Sequence, residues 1–162
     1  HTLSVPQDVP GEDLWVRKAR NSVKLGILNS ADVEKIKYLL TLSKHAVAFA
    51  HGDLLLTNCL VRNHAVNLLY LDWEFAGQYP KGYDLALLWI IMAKDEAARK
   101  YIWDYAVSNS KEYVCSFLAN LFLHIAREIK IHKEAIGVPG FPQIIDGLFA
   151  DLVRIRYASQ GI

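Results

Sequence analysis

The sequence predicts a mainly helical α+β domain with a small β hairpin set into its middle. Apolar residues recur at helical spacing in several segments on both sides of that middle. Between them lie two short β-prone runs, residues 59–62 and 67–71, separated by polar Asn63 and His64. A composition of 52% hydrophobic and 22% charged residues provides a core, and 162 residues are one domain's worth of chain.

Residues 1–12 contain Pro6, Pro10 and Gly11 and read as an irregular lead-in or linker. From residue 13 to about 28, Leu14, Trp15, Val23, Ile27 and Leu28 allow a helix whose other face is basic with Arg17, Lys18 and Arg20. Ser30 is placed to cap the next helix, in which Val33, Ile36, Leu39, Leu40 and Ser43 share one face, to about Lys44. Ala46 to Ala50 is a short apolar run that breaks the helical period and leads into a loop at His51-Gly52-Asp53.

The hairpin that follows holds Asn58 and Asp72 at its outer ends, which antiparallel pairing makes neighbours in space. Pro80 and Gly82 then punctuate the chain before residues 83–92, apolar on all sides and so expected at the centre of the domain. Further helices are expected over 96–107 and 111–130, the second capped by Ser110 and striped by Val114, Phe117, Leu118, Leu121 and Ile125. Pro139, Gly140 and Pro142 mark a break before a last helix over 143–157. One domain results: a lead-in over 1–12, helices over 13–45, a loop and hairpin over 46–75, and helices over 83–162.

A net charge of +1, from 18 basic and 17 acidic residues, and the lack of a basic run interleaved with aromatics argue against a nucleic-acid partner. Cys59 and Cys115 sit in apolar segments and read as small hydrophobes. The longest apolar stretch is far short of the roughly 20 residues that cross a bilayer, so a soluble, cytoplasmic protein without a membrane partner is expected. The chain begins at His1 with neither Met nor a signal pattern, and reads as processed or truncated.

The chemistry is concentrated in His51-Gly52-Asp53-Leu54-Leu55-Leu56-Thr57-Asn58, followed beyond the hairpin by Asp72-Trp73-Glu74 and then by Tyr83-Asp84-Leu85-Ala86. This constellation resembles the catalytic loop and metal-binding segment of the protein-kinase-like superfamily, and more closely its aminoglycoside phosphotransferase and choline kinase branch. The resemblance implies a kinase-like C-terminal lobe in which Asp53 orients the acceptor hydroxyl or takes its proton, and Asn58 and Asp72 bind Mg²⁺. It further implies that His51 and Gly52 shape the loop, and that Asp84 is the acceptor that pins it. Glu74 would reach the metal directly or through water, or hold substrate.

Physical chemistry gives these roles a rationale. Phosphoryl transfer needs an oriented nucleophile and compensation of charge on the transferring group, for which one carboxylate and oxygen ligands on Mg²⁺ are the least a protein can supply. Two protein ligands suffice, since Mg²⁺ keeps waters and phosphates in its octahedron.

Two departures from the family pattern have consequences. Leu55 stands where protein kinases carry lysine, which favours a small alcohol or amine as acceptor, aminoglycoside- or choline-like, over a protein. Nothing before His51 reads as the Gly-rich hairpin and strand lysine that hold ATP, so the phosphoryl donor is expected to bind poorly unless a missing N-terminal lobe or another subunit supplies them. Loss of that cover would bare apolar surface around Leu54 to Leu56 and favour self-association.

Two other readings stay open: a kinase-like binding or regulatory domain without catalysis, and a metal-dependent hydrolase built on His51, Asp53 and Asp72. Charge does not choose the acceptor. Glu128, Asp146 and Asp151 favour a cation, while Arg127, Arg154 and Arg156 in the same region oppose it.

Overall fold

The computed structural model describes residues 12–44, 46–62, 67–141 and 144–162. The expected lead-in, the hairpin turn at Asn63 and His64, and the break at Pro142 lie outside the described residues. Among the described residues six α-helices flank two small antiparallel ladders, a mixed α+β fold.

The first helix, α1 (Glu12–Lys24), buries Trp15, Val16 and Ala19 and stops earlier than its apolar pattern suggests. The reason is Gly26, at φ +64. The Gly26 amide donates to the Val23 carbonyl and the Ile27 amide to that of Ser22, closing the helix in a left-handed cap that leaves Ile27 and Leu28 buried beyond it. The second helix, α2 (Ser30–Leu42), is capped by Asn29 and not by Ser30. Asn29 accepts from the Asp32 amide and the Asp32 carboxylate accepts from the Asn29 amide, each at 2.9 Å, so a reciprocal box supersedes a single hydroxyl.

One ladder was not expected. Strand β1 (Val47–Ala50) pairs antiparallel with β4 (Gly77–Pro80), Val47 opposite Pro80 and Ala50 opposite Gly77. Residues 46–50 are too short for a strand pattern to be distinguished from a buried loop, and a proline at the end of β4 reads as punctuation. The expected hairpin forms from β2 (Cys59–Arg62) and β3 (Asn67–Tyr70), Cys59 opposite Tyr70.

Gly82 opens α3 (Tyr83–Ile91), whose Tyr83, Ala86, Leu87, Trp89 and Ile90 are buried. Helices α4 (Glu96–Val107), α5 (Lys111–Glu134) and α6 (Ile145–Ala158) complete the chain, with Ser110 capping α5 through the Tyr113 amide. α5 is the axis of the domain. It packs against α1, α2, α3, α4 and α6 and buries Phe117, Leu121, Phe122, Ile125 and Ile129 completely. Each such side chain contributes about 1.5–3 kcal/mol of burial, so α5 outweighs any surface pair as a source of stability.

Two polar ties orient the outer elements on this core. Arg156 on α6 grips Asp32 on α2 with two hydrogen bonds of 2.8 and 2.6 Å. Arg99 on α4 meets Asp151 on α6 at 2.7 Å while its guanidinium lies over the Trp89 ring. Cys115 is buried and Cys59 half-buried, and both are free thiols. Among the described residues no helix is long and apolar enough to cross a membrane.

Candidate active site

The loop that follows β1 is held from below by Asp84, at the start of α3. Gly82 and not Asp84 occupies the capping position of that helix, which frees the carboxylate to turn away. It accepts from the His51 amide at 2.7 Å and from the Gly52 amide at 3.0 Å, using both oxygens. Charge-assisted bonds of this kind are about twice as strong as neutral ones, and they fix the backbone that leads to Asp53.

Gly52 has φ +85 and passes close to the segment before β4. A Cβ on it would lie 2.2 Å from the Phe75 carbonyl oxygen and 2.8 Å from the Tyr79 hydroxyl, which itself donates to that carbonyl. A glycine is required here both by torsion and by space.

His51 is buried, and its Nε2 stands 2.7 Å from the Leu71 carbonyl. A carbonyl only accepts, so Nε2 carries the proton and Nδ1, which is buried and has no partner among the described residues, is the bare nitrogen. The ring thereby ties the 51–53 loop to the residue preceding Asp72. Trp73 packs on the other side of it, its ring 4.7 Å from that of His51 and stacked on Phe49.

Asn58 ends a 3-10 turn, Leu56–Asn58, that leads into β2. Its side-chain amide donates to the Asp53 carbonyl at 2.9 Å, and its own carbonyl accepts from the Leu71 amide at 2.8 Å. The two outer ends of the hairpin therefore meet as antiparallel pairing requires, with Asp53 bonded to the first of them. Asp72 is exposed and has φ +59, a left-handed conformation that costs an L residue about 1–2 kcal/mol. The bonds to Leu71 and the packing of Trp73 hold it there.

The structure thus brings His51, Gly52, Asp53, Asn58, Asp72 and Asp84 into one region. Glu74 is exposed, and no hydrogen bond or ion pair joins it to Asp72 or Asn58 among the described residues. Among the described residues no group of three or more His, Cys, Asp or Glu is arranged to hold a metal alone. With the His51 Nε2 proton committed to Leu71, a hydrolase centre on His51, Asp53 and Asp72 gains no support.

One neighbour has no local signal in the sequence. Arg127 on α5 places Nη2 3.8 Å from an Asp53 oxygen and 3.0 Å from Glu128. It is reached only by folding, because nothing in residues 51–84 points to a helix position so far downstream. Of the acidic residues expected near an acceptor, Asp151 is buried against Arg99 and Asp146 is exposed on α6, which leaves Glu128 as the one coupled to Asp53 through Arg127.

Beneath this region Tyr83 and His124 face each other, ring centres 4.2 Å apart, and the His124 Nε2 donates to the Tyr83 carbonyl at 3.2 Å. Burial pushes the Tyr83 phenol up to about 12. Burial, reinforced by the nearby Arg127 charge, pushes the His124 imidazole down to about 3. The unfolded chain binds this proton below about 6.5 and the folded one only below about 3, so the contribution of His124 is fully present above pH 6.5 and is lost as pH falls through that window. Denaturant melts at pH 7 and pH 5 are expected to differ by about 2 kcal/mol from this group, and His124→Gln should flatten the difference. An unchanged slope in the variant would refute the assignment.

The family model described as choline/ethanolamine kinase matches residues 16–139. Choline kinase B2 of Caenorhabditis elegans is 35% identical over 66 residues, which are 41% of this chain and 18% of that protein. The match therefore covers less than a fifth of the length of that curated relative. No solved structure matches the chain.

Proposed function

The chain belongs to the choline/ethanolamine kinase family, and from that premise we propose that it is the catalytic-loop lobe, C-terminal in the family's order, of a phosphotransferase. The reaction is transfer of the γ-phosphoryl group of ATP to a hydroxyl of a small molecule. The observation that carries this reading is the junction at the hairpin ends, where Asn58 bonds both the Asp53 carbonyl and the residue before Asp72.

In this reading the Asp53 carboxylate orients the acceptor hydroxyl and takes its proton as the oxygen attacks phosphorus. The Asn58 side-chain oxygen and the Asp72 carboxylate would hold Mg²⁺. They fit it in kind: among the described residues the Asn58 amide nitrogen is committed to Asp53 while its side-chain oxygen accepts no hydrogen bond, and Asp72 is exposed with no hydrogen bond or ion pair on its carboxylate. When bound, Mg²⁺ neutralises charge on the phosphates and leaves room for their oxygens and for water. His51, Gly52 and Asp84 act as scaffold, and Glu74 is a further oxygen within the same segment that could serve metal or substrate.

Exposed Phe49, Leu60, Leu69, Leu71, Trp73 and Phe75 surround this junction. An apolar face of that extent beside a phosphate site suits cover by a nucleotide-binding lobe, from the same polypeptide or another subunit; in its absence the face would drive self-association. The acceptor class to assay first is the amino alcohols, after the names of the family and of the matched relative, followed by aminoglycosides.

The test is transfer of label from γ-labelled ATP to an acceptor panel by the full-length protein, with and without Mg²⁺. Product that needs both metal and acceptor is the expected result. Nucleotide binding without transfer to any hydroxyl would leave a binding domain, and neither binding nor transfer would overturn the reading.

A further inference from the structure

The backbone around Asp53 is well fixed, with its carbonyl held by Asn58 and the two amides before it held by Asp84. Its carboxylate is held differently. Among the described residues no donor reaches either oxygen within hydrogen-bond distance, and the cation within ion-pair distance is Arg127 of α5, with Nη2 3.8 Å from Oδ1. That separation is about an ångström longer than the roughly 2.8 Å of a closed guanidinium–carboxylate pair, so Arg127 attracts the carboxylate without occupying its lone pairs.

Glu128 keeps the guanidinium at that distance. Arg127 Nε donates to a Glu128 oxygen at 3.0 Å, and Nη2 stands 3.0 Å from the same oxygen. Consecutive residues of a helix point about 100° apart and do not face each other, so this contact requires the Arg127 side chain to fold sideways across α5. Like charge bounds it on another side: Arg127 shares with Lys18 the cavity of about 270 Å³ between α1 and α5. Burial, and after it the Arg127 charge, hold the Lys18 ammonium below the ordinary lysine value. The Glu128 side chain is 19% exposed and that of Asp53 25%, so solvent screens the set less than it screens a surface pair.

We propose that Arg127, anchored by Glu128, is a positioning residue for phosphoryl transfer: it orients the Asp53 carboxylate and leaves both of its oxygens to the acceptor hydroxyl. This rests on the reading of Asp53 as the acceptor-side carboxylate. Arg127 and Glu128 are together neutral, so the pair sets the direction of Asp53 without opposing an amino alcohol by net charge. Without Glu128 the guanidinium would close onto Asp53 and take up the oxygens that the hydroxyl needs; without Arg127 the carboxylate would turn freely.

Steady-state kinetics of the full-length protein with ethanolamine or choline, ATP and Mg²⁺ test it. Arg127→Gln is expected to lower kcat about tenfold, the cost of a misdirected reacting group, with KM for the acceptor within about twofold. Glu128→Gln should lower kcat about threefold, and Arg127→Lys, which keeps the charge and loses the fork, should fall between Arg127→Gln and the parent. In an Asp53→Asn background Arg127→Gln should cost nothing further, because the residue acts through Asp53. Lys130 lies on the same helix and the same cavity wall but faces Glu134 at 3.7 Å, so Lys130→Gln is the control and should leave kcat unchanged. A full tenfold further loss in the Asp53→Asn background, or an equal loss from Lys130→Gln, would overturn the proposal. A second readout needs no turnover. The ¹³C signal of the Asp53 carboxyl, assigned by its loss in Asp53→Asn, should move in Arg127→Gln and Glu128→Gln and stay in Lys130→Gln; a signal indifferent to Arg127 would also overturn the proposal. A moved signal in a protein that transfers no phosphate removes the phosphotransferase and keeps the clamp, whereas transfer with a kcat indifferent to Arg127 does the reverse.

Discussion

Replacing Asp53 with Asn is expected to lower kcat for phosphoryl transfer by about three orders of magnitude, at little cost to folding. The substitution keeps the shape of the side chain and its ability to hydrogen bond, and it removes only the negative charge and the basic oxygen. The Asn58 amide contacts the Asp53 backbone carbonyl and not its carboxylate, so the loop keeps that anchor in the variant. Arg127, 3.8 Å from an Asp53 oxygen, would lose one of its two carboxylate neighbours and keep Glu128. Steady-state kinetics with Mg²⁺, ATP and the acceptor measure the effect. A fall in kcat with KM nearly unchanged is the outcome expected of a group acting on the hydroxyl as it reacts, whereas a rise in KM alone would assign Asp53 to binding. Asp146→Asn, a charge removed from an exposed position on α6, is the control and should leave both constants as they were.

The reach of the sequence differs between the parts of this region, for identifiable reasons. Helices α3, α4 and α5 were legible because long apolar stripes and a serine cap leave little ambiguity about period and start. The meeting of the hairpin's outer ends, Asn58 with Leu71 next to Asp72, was legible too, since antiparallel pairing of residues 59–62 with 67–70 forces those ends together. The β1–β4 ladder was not, because four residues give no reliable period and their partners include a proline. Asn29 was passed over in favour of Ser30, although Asp32 stands at the spacing that completes a capping box; the Asp side chain in the role of Glu hid the motif. Arg127 beside Asp53, and the cavity of about 270 Å³ that Lys18 and Arg127 share between α1 and α5, were beyond local reading altogether. They depend on α1 and α5 packing side by side, a tertiary arrangement that no spacing within either helix encodes.

Gly52→Ala is expected to destabilise the protein by about 3 kcal/mol and to abolish transfer along with it, because two separate costs coincide. At φ +85 any L side chain is strained, and the added methyl would sit 2.2 Å from the Phe75 backbone oxygen, closer than any van der Waals contact. That oxygen belongs to the segment carrying Asp72 and also accepts from Tyr79, so it has little freedom to withdraw. The loop would move instead, and with it the Gly52 amide that Asp84 holds and the adjoining Asp53. Gly26→Ala separates the two costs. Gly26 has φ +64 and nothing within 4 Å of where its Cβ would lie, so only the torsional part, about 1 kcal/mol, should appear, and transfer should be unaffected. Denaturant melts of both variants, with turnover measured on the folded fraction, provide the comparison. Equal losses of stability would mean that the loop tolerates the methyl and that its path is not set by contact with Phe75; a normally active Gly52→Ala protein would remove the rigid approach of this loop from the account of how Asp53 is positioned.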